Sequence, residues 1–252
     1  INYLFNKSFS SNTSLNIIFD KPHSMYLQMI QGTGGVSLIA FLVIIGIYIS
    51  QVINSNRKEK QIVSNAIAAG VEKMVLACCD EQEVADIINL CNRYPEHLYP
   101  TVGIHPENIS QDVVQQFESL IRLADKLQGI KAVGEIGLDL HWDKTRLQDQ
   151  TWILKAQTEW ALDKDLPVLL HIRDAMPEFL ELCKNSLYNY AQEKKKQLHG
   201  ILHCYSGTAE QAKEVLNYGD FYFGIGGTVT YKKSMVPEVV KAIGIERIVL
   251  ET

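Results

Sequence analysis

The sequence is short of the features that would place it quickly. Its five cysteines are odd in number, include the adjacent pair Cys78 and Cys79, and nowhere stand in C-x-x-C spacing. That argues against a disulfide framework and against a structural zinc site, and it predicts free thiols in a reducing compartment. Surplus positive charge is missing as well: 24 Lys and Arg stand against 29 Asp and Glu, a formal net charge of −5. Bulk electrostatics therefore do not announce a nucleic-acid binder, although a metal ion can supply local positive charge where an acidic chain meets a phosphate. The one basic run, Lys194-Lys195-Lys196, follows Glu193 and reads as a solvated helix end or loop. What is present suffices for a core: 252 residues, 46% hydrophobic and 21% charged, bury most of their apolar surface without covalent staples.

The N-terminal quarter differs from the rest. Residues 1–33 are rich in Asn and Ser and lack periodicity, apart from "SLNIIFD" (14–20), which predicts a strand. "NKS" and "NTS" fit the glycosylation sequon, but such matches are expected by chance in this composition. Residues 34–53, "GGVSLIAFLVIIGIYISQVI", carry no charge and are long enough to span a bilayer as a helix. Arg57, Lys58 and Lys60 follow it while only Lys7 and Lys21 precede it, so an inserted helix would leave the C-terminal part in the cytoplasm. The competing readings of 34–53 are a buried apolar segment and a misjoined reading frame. The chain opens on Ile1 and stops at Thr252 inside an apparent strand, which reads as a fragment or a damaged frame. The expected division is an unmatched segment over 1–55, with its candidate membrane helix, and a folded domain over 56–252.

From Asn56 onward apolar strands alternate with amphipathic helices. Strand signals fall at 71–79, 98–106, 130–140, 166–174, 199–207, 220–227 and 246–252, with helical spacing at 60–70, 81–95, 111–127, 146–164, 176–196, 208–219 and 236–244. Short continuous apolar strands between helices indicate a parallel sheet covered by helices. With no sign of a switch point, the repeat favours an eight-stranded βα barrel lacking one strand over a doubly wound sheet.

In a βα barrel, chemistry assembles at the C-terminal ends of the strands. The 98–106 strand ends in His105, the next carries Glu135 and Asp139, the 166–174 strand carries His171 and Arg173, and the 199–207 strand carries His203. Alternation with period two sets Glu135 and Asp139 on one face and Ile136 and Leu138 on the other. A buried carboxylate needs a partner. Imidazoles and a carboxylate from separate strands are ligand types for zinc, manganese or magnesium, so Glu135 is expected to hold a metal. The structural alternative is an ion pair between Glu135 and Arg173.

The stretches "TVGIHP", "VGEIGLD", "PVLLHIRDA", "LHCYSG", "FGIGG" and "IVLET", in this order from about Lys60 to Thr252, resemble the strand signatures of the TatD-like metal-dependent hydrolases. The resemblance implies a TIM-type (β/α)8 barrel that uses divalent metal (Mg, Mn or Zn) to hydrolyse phosphodiesters, chiefly as a deoxyribonuclease. It implies metal ligands at Glu135, His171 and His203, and an active-site role for His105 in binding the scissile phosphate or a metal-bound water. Arg173 is expected to neutralise charge developing on the phosphoryl oxygens. DNA or another phosphodiester is the implied partner, no protein partner is implied, and the barrel is expected in the cytoplasm. Two departures stand out. The family usually opens with Asp-x-His-x-His, whereas no H-x-H occurs here and Asp20 and His23 have the wrong spacing. It also reads Glu-Thr-Asp at the last strand, where this chain stops at Glu251-Thr252. The barrel is thus expected to be incomplete at its first strand and after its last, to expose sheet edges, and to bind one ion weakly. The alternatives are a non-phosphate metallohydrolase on the same barrel and a catalytically inactive membrane-tethered remnant.

Overall fold

The computed structural model describes residues 3–5, 17–19, 56–127 and 129–251. Seven strands, β3 (Met74–Leu76), β4 (Leu98–Val102), β5 (Ala132–Asp139), β6 (Val168–Arg173), β7 (His199–His203), β8 (Asp220–Ile225) and β9 (Ile248–Leu250), form one sheet in strict chain order. Every neighbouring pair is parallel. An unbroken order has no switch point, which excludes the doubly wound arrangement. The segment expected as a strand at 14–20 contributes β2 (Ile17–Phe19), but this pairs antiparallel with β1 (Tyr3–Phe5) in a separate two-stranded sheet. Residues 34–53 lie outside the described residues, and among those described no helix is long and apolar enough to cross a membrane.

Helices α1 (Asn56–Ala68), α2 (Val84–Arg93), α3 (Val113–Ala124), α4 (Leu147–Lys164), α5 (Met176–Leu182), α6 (Tyr188–Lys194), α7 (Ala209–Val215) and α8 (Val236–Ile243) connect the strands. Their boundaries follow local chemistry. In α2 the buried residues Val84, Ile87, Ile88 and Cys91 fall at helical spacing and form one stripe. Asp112 caps α3 by accepting the Gln115 N–H, and Thr208 with Gln211 closes a capping box on α7. The helix expected over 176–196 is split by a π turn at Cys183–Leu187, which keeps both Cys183 and Leu187 in the core.

The strands sort their side chains by face. Val168, Leu170 and Ile172 of β6 pack into the main core among the helices. Leu169 faces the other way and meets Ala77 and Ile201. Two residues further along that face comes His171, so alternation delivers the imidazole to the strand end. A second apolar cluster, built on β3, β4 and α1 to α3, continues into α4 through Ile153. Of the five cysteines four are buried and Cys204 is exposed.

Candidate metal centre

Three strands meet around one carboxylate. In the β5–β6 register Gly137 stands opposite His171, so Glu135 and Asp139, two residues to either side, flank the imidazole. His171 Nδ1 lies 3.1 Å from Glu135 Oε1 and its Nε2 lies 2.9 Å from Asp139 Oδ2. Gly137 makes this approach feasible, because a Cβ there would overlap the backbone of His171. The register shifts between Val133 and Ile136, so β5 is not the regular strand that strict alternation predicts, yet both carboxylates reach the same ring. Ile136 and Leu138 enter the opposite, helix-covered core as expected.

His203 pairs in register with His171 and repeats its arrangement. Its Nε2 faces Glu135 Oε1 at 3.9 Å, while its Nδ1 lies 2.8 Å from Glu251 Oε1. The other oxygen of Glu251 accepts the Cys204 N–H at 2.7 Å. Gly224 leaves room for this carboxylate, since a Cβ there would overlap it. Each imidazole is thus held by an outer carboxylate, Asp139 or Glu251, and turns its other nitrogen toward Glu135.

His105 arrives differently. Strand β4 ends at Val102, not at the histidine, and His105 starts a short 3-10 turn over Pro106–Asn108. Its Nδ1 accepts the Glu107 N–H at 3.2 Å, which leaves Nε2 to carry the proton of the neutral ring. That Nε2 lies 3.9 Å from Glu135 Oε1, and the ring packs edge-on against His171 with centroids 4.4 Å apart. Two buried glutamines of α4 fix the strand ends. Gln157 accepts the Ile104 N–H at 2.7 Å and donates to the Ile104 carbonyl at 3.3 Å. Gln150 accepts the Asp139 N–H at 2.8 Å and donates to the Asp139 carbonyl at 2.9 Å.

The charges interlock. Burial alone would raise the Glu135 pKa, but the His171 hydrogen bond and the charges of His203 and His105 bring it down to about 2. Burial opposes charge on His171 too, and there Glu135 and Asp139 win and raise its pKa. For His203 burial is outweighed by Cys204, Glu251 and Glu135, and its pKa stands well above the ordinary value. His105 goes the other way: burial prevails over Glu135 and lowers it to about 4, so it is neutral at pH 7.

The family model described as TatD related DNase matches residues 49–252. The chain belongs to this family. A metal-dependent hydrolase of Bacillus subtilis named YabD, uncharacterized by its name, is 30% identical over 194 residues, covering 77% of this chain and 72% of its own. A Salmonella typhimurium relative named 3'-5' ssDNA/RNA exonuclease TatD is 32% identical over 194 residues, covering 76% and 70%. The crystal structure of the Escherichia coli TatD homolog YjjV superposes with a TM-score of 0.67 at 28% identity, covering 79% of this chain and 74% of that one.

A TatD-type metal-dependent hydrolase needs a divalent ion, and the donor set here fits one. Ligand atoms of a single ion, each at about 2.1 Å, lie roughly 3.0–3.5 Å from one another. Around Glu135 Oε1 the nitrogens of His171 and His203 stand at 3.1 and 3.9 Å. Donor atoms of His105, Glu135 and His171 all lie within 4.8 Å of one another, as do those of His203, Cys204 and Glu251. Arg173 does not pair with Glu135, which removes the ion-pair alternative. Its Nη1 lies 3.9 Å from Asp139 Oδ2 at the rim.

Sequence reasoning missed the supporting residues. Asp139 shared a face with Glu135 but received no role, and Glu251 was passed over for the Asp expected after Thr252. Gln150 and Gln157 carried a usable signal, because two amides seven residues apart lie on one face of α4 and both are buried.

Proposed function

We propose that this TatD-type hydrolase cleaves phosphodiester bonds, as a deoxyribonuclease, with residues 56–252 as its catalytic unit. The observation that carries this reading is the convergence of His171 and His203 on one oxygen of buried Glu135, each ring held from behind by a second carboxylate. Glu135, His171 and His203 would hold the ion. A divalent metal held there would supply Lewis acidity and lower the pKa of a water toward neutrality.

The remaining roles belong to the chain itself. His105, neutral and with its Nε2 proton directed into the centre, would donate a hydrogen bond to a phosphate oxygen. The Glu107 N–H holds its Nδ1, and Gln157 holds the backbone of the preceding Ile104. Arg173, half-exposed at the rim, would neutralise charge developing on the phosphoryl oxygens. Asp139 and Glu251 would keep their imidazoles in the tautomer and orientation that point a lone pair at the ion. Relatives named as 3'-5' ssDNA/RNA exonucleases support a nucleic-acid substrate.

Glu135→Ala is expected to abolish metal-dependent cleavage of single-stranded DNA, and undiminished activity in that variant would sink the assignment. A substrate panel that adds carboxylic esters and cyclic amides separates this reading from a non-phosphate metallohydrolase on the same fold.

A further inference from the structure

Just past Asp139 the chain leaves β5 and presents an indole to solvent. Trp142 is 71% exposed, more than any other exposed large hydrophobic side chain among the described residues. Single exposed apolar residues are common on protein surfaces. This one is braced and tied to the metal centre. The His141 ring meets it edge-on at 4.6 Å, and His141 Nδ1 is held 2.8 Å from Asp174 Oδ2. The Arg173 guanidinium sits over the indole, 5.5 Å from the ring centroid. Arg173 in turn lies 3.9 Å from Asp139 Oδ2, which is 2.9 Å from His171 Nε2. A continuous path of contacts therefore runs from the histidine at the centre to the exposed ring.

A largely exposed indole with a guanidinium set against it matches the two repeating parts of a single strand: a base to stack and a phosphate to neutralise. A duplex would not use it, since its bases are already stacked on one another. The sequence, with its net charge of −5, announces no aromatic and basic surface. The fold assembles one from Arg173 at the end of β6 and Trp142 three residues past the end of β5.

We propose that Trp142 is a nucleobase-stacking platform which, with Arg173, seats a nucleotide of single-stranded nucleic acid beside the phosphate to be cleaved. The proposal rests on the nuclease reading for its substrate, so binding and cleavage are measured separately. Binding is read by fluorescence anisotropy of a labelled short oligothymidylate with the full chain in EDTA, where no turnover occurs. Trp142→Ala is expected to weaken binding by about 5- to 150-fold, the worth of one stacked base, and Trp142→Phe to recover most of that loss. An oligomer with abasic sites in place of thymines is expected to bind the wild-type protein weakly and to show no further loss in the Ala variant. Oligothymidylate binding that is equal in the wild type and Trp142→Ala would overturn the platform, as would no measurable binding by the wild type. Cleavage of the same oligomer with metal tests the nuclease reading alone. Trp142-dependent binding without cleavage would refute the nuclease reading and support the platform, whereas cleavage without Trp142-dependent binding would refute only the platform.

Discussion

Replacing Gln157 by Leu tests whether the site is braced from behind by α4. Gln157 and Ile104 are both fully buried, and the amide satisfies the N–H and the carbonyl of Ile104 at 2.7 and 3.3 Å. Leucine is somewhat larger and has no polar atoms, so two buried backbone groups lose their partners at about 1–3 kcal/mol each. The added apolar burial returns about 1–2 kcal/mol. The middle of these ranges gives a net loss of about 2–3 kcal/mol, read as a lower urea midpoint with an unchanged slope. Because Ile104 immediately precedes His105, the same variant should also lower metal-dependent turnover. Gln157→Glu is the sharper control: it keeps the shape and the acceptor for the Ile104 N–H but sets a carboxylate oxygen against the Ile104 carbonyl. It must therefore cost stability despite near-identical geometry. A Leu variant within about 0.5 kcal/mol of wild type would refute the bracing, since surface-like substitutions fall in that range.

Three further outcomes follow from the same geometry. Glu251→Gln keeps one acceptor where two donors, His203 Nδ1 and Cys204 N–H, now converge, and divalent-metal affinity by calorimetry should fall about 10- to 100-fold; unchanged affinity would rule out its role in orienting His203. Metal affinity should climb as pH rises, because the ion must displace protons from His171 and His203, whose pKa values are raised, and should level off above them; His105, at about 4, adds no such dependence near neutrality. Calorimetry in buffers of different ionisation enthalpy should show proton release, and affinity independent of pH would contradict the ligand assignment. Gly137→Ala places a methyl against the His171 backbone, so the β5–β6 pairing must part, and circular dichroism should show a melting point lower by several degrees or no cooperative transition.

The sequence by itself determined the elements and the chemistry on offer. Apolar runs of strand length between stripes of helical spacing could bury their surface only as a parallel sheet under helices, and β3 to β9 appear where those runs lie. The types and approximate positions of Glu135, His171 and His203 were legible because alternation along one strand is a local property. Tertiary structure decided which atoms meet. The end of β4 was misplaced because "TVGIHP" stays apolar after Val102, and only the Gln157 clamp and the turn at Pro106 show where pairing stops. Glu251 reaches His203 across 48 positions, and Gln157 reaches Ile104 across 53. Such contacts depend on the register between parallel strands and on which helix covers them, and neither is encoded within any short window of the chain. For the same reason the stacked pair of Trp142 and Arg173, harmless as two surface residues in the sequence, becomes one surface only when β5 and β6 lie side by side.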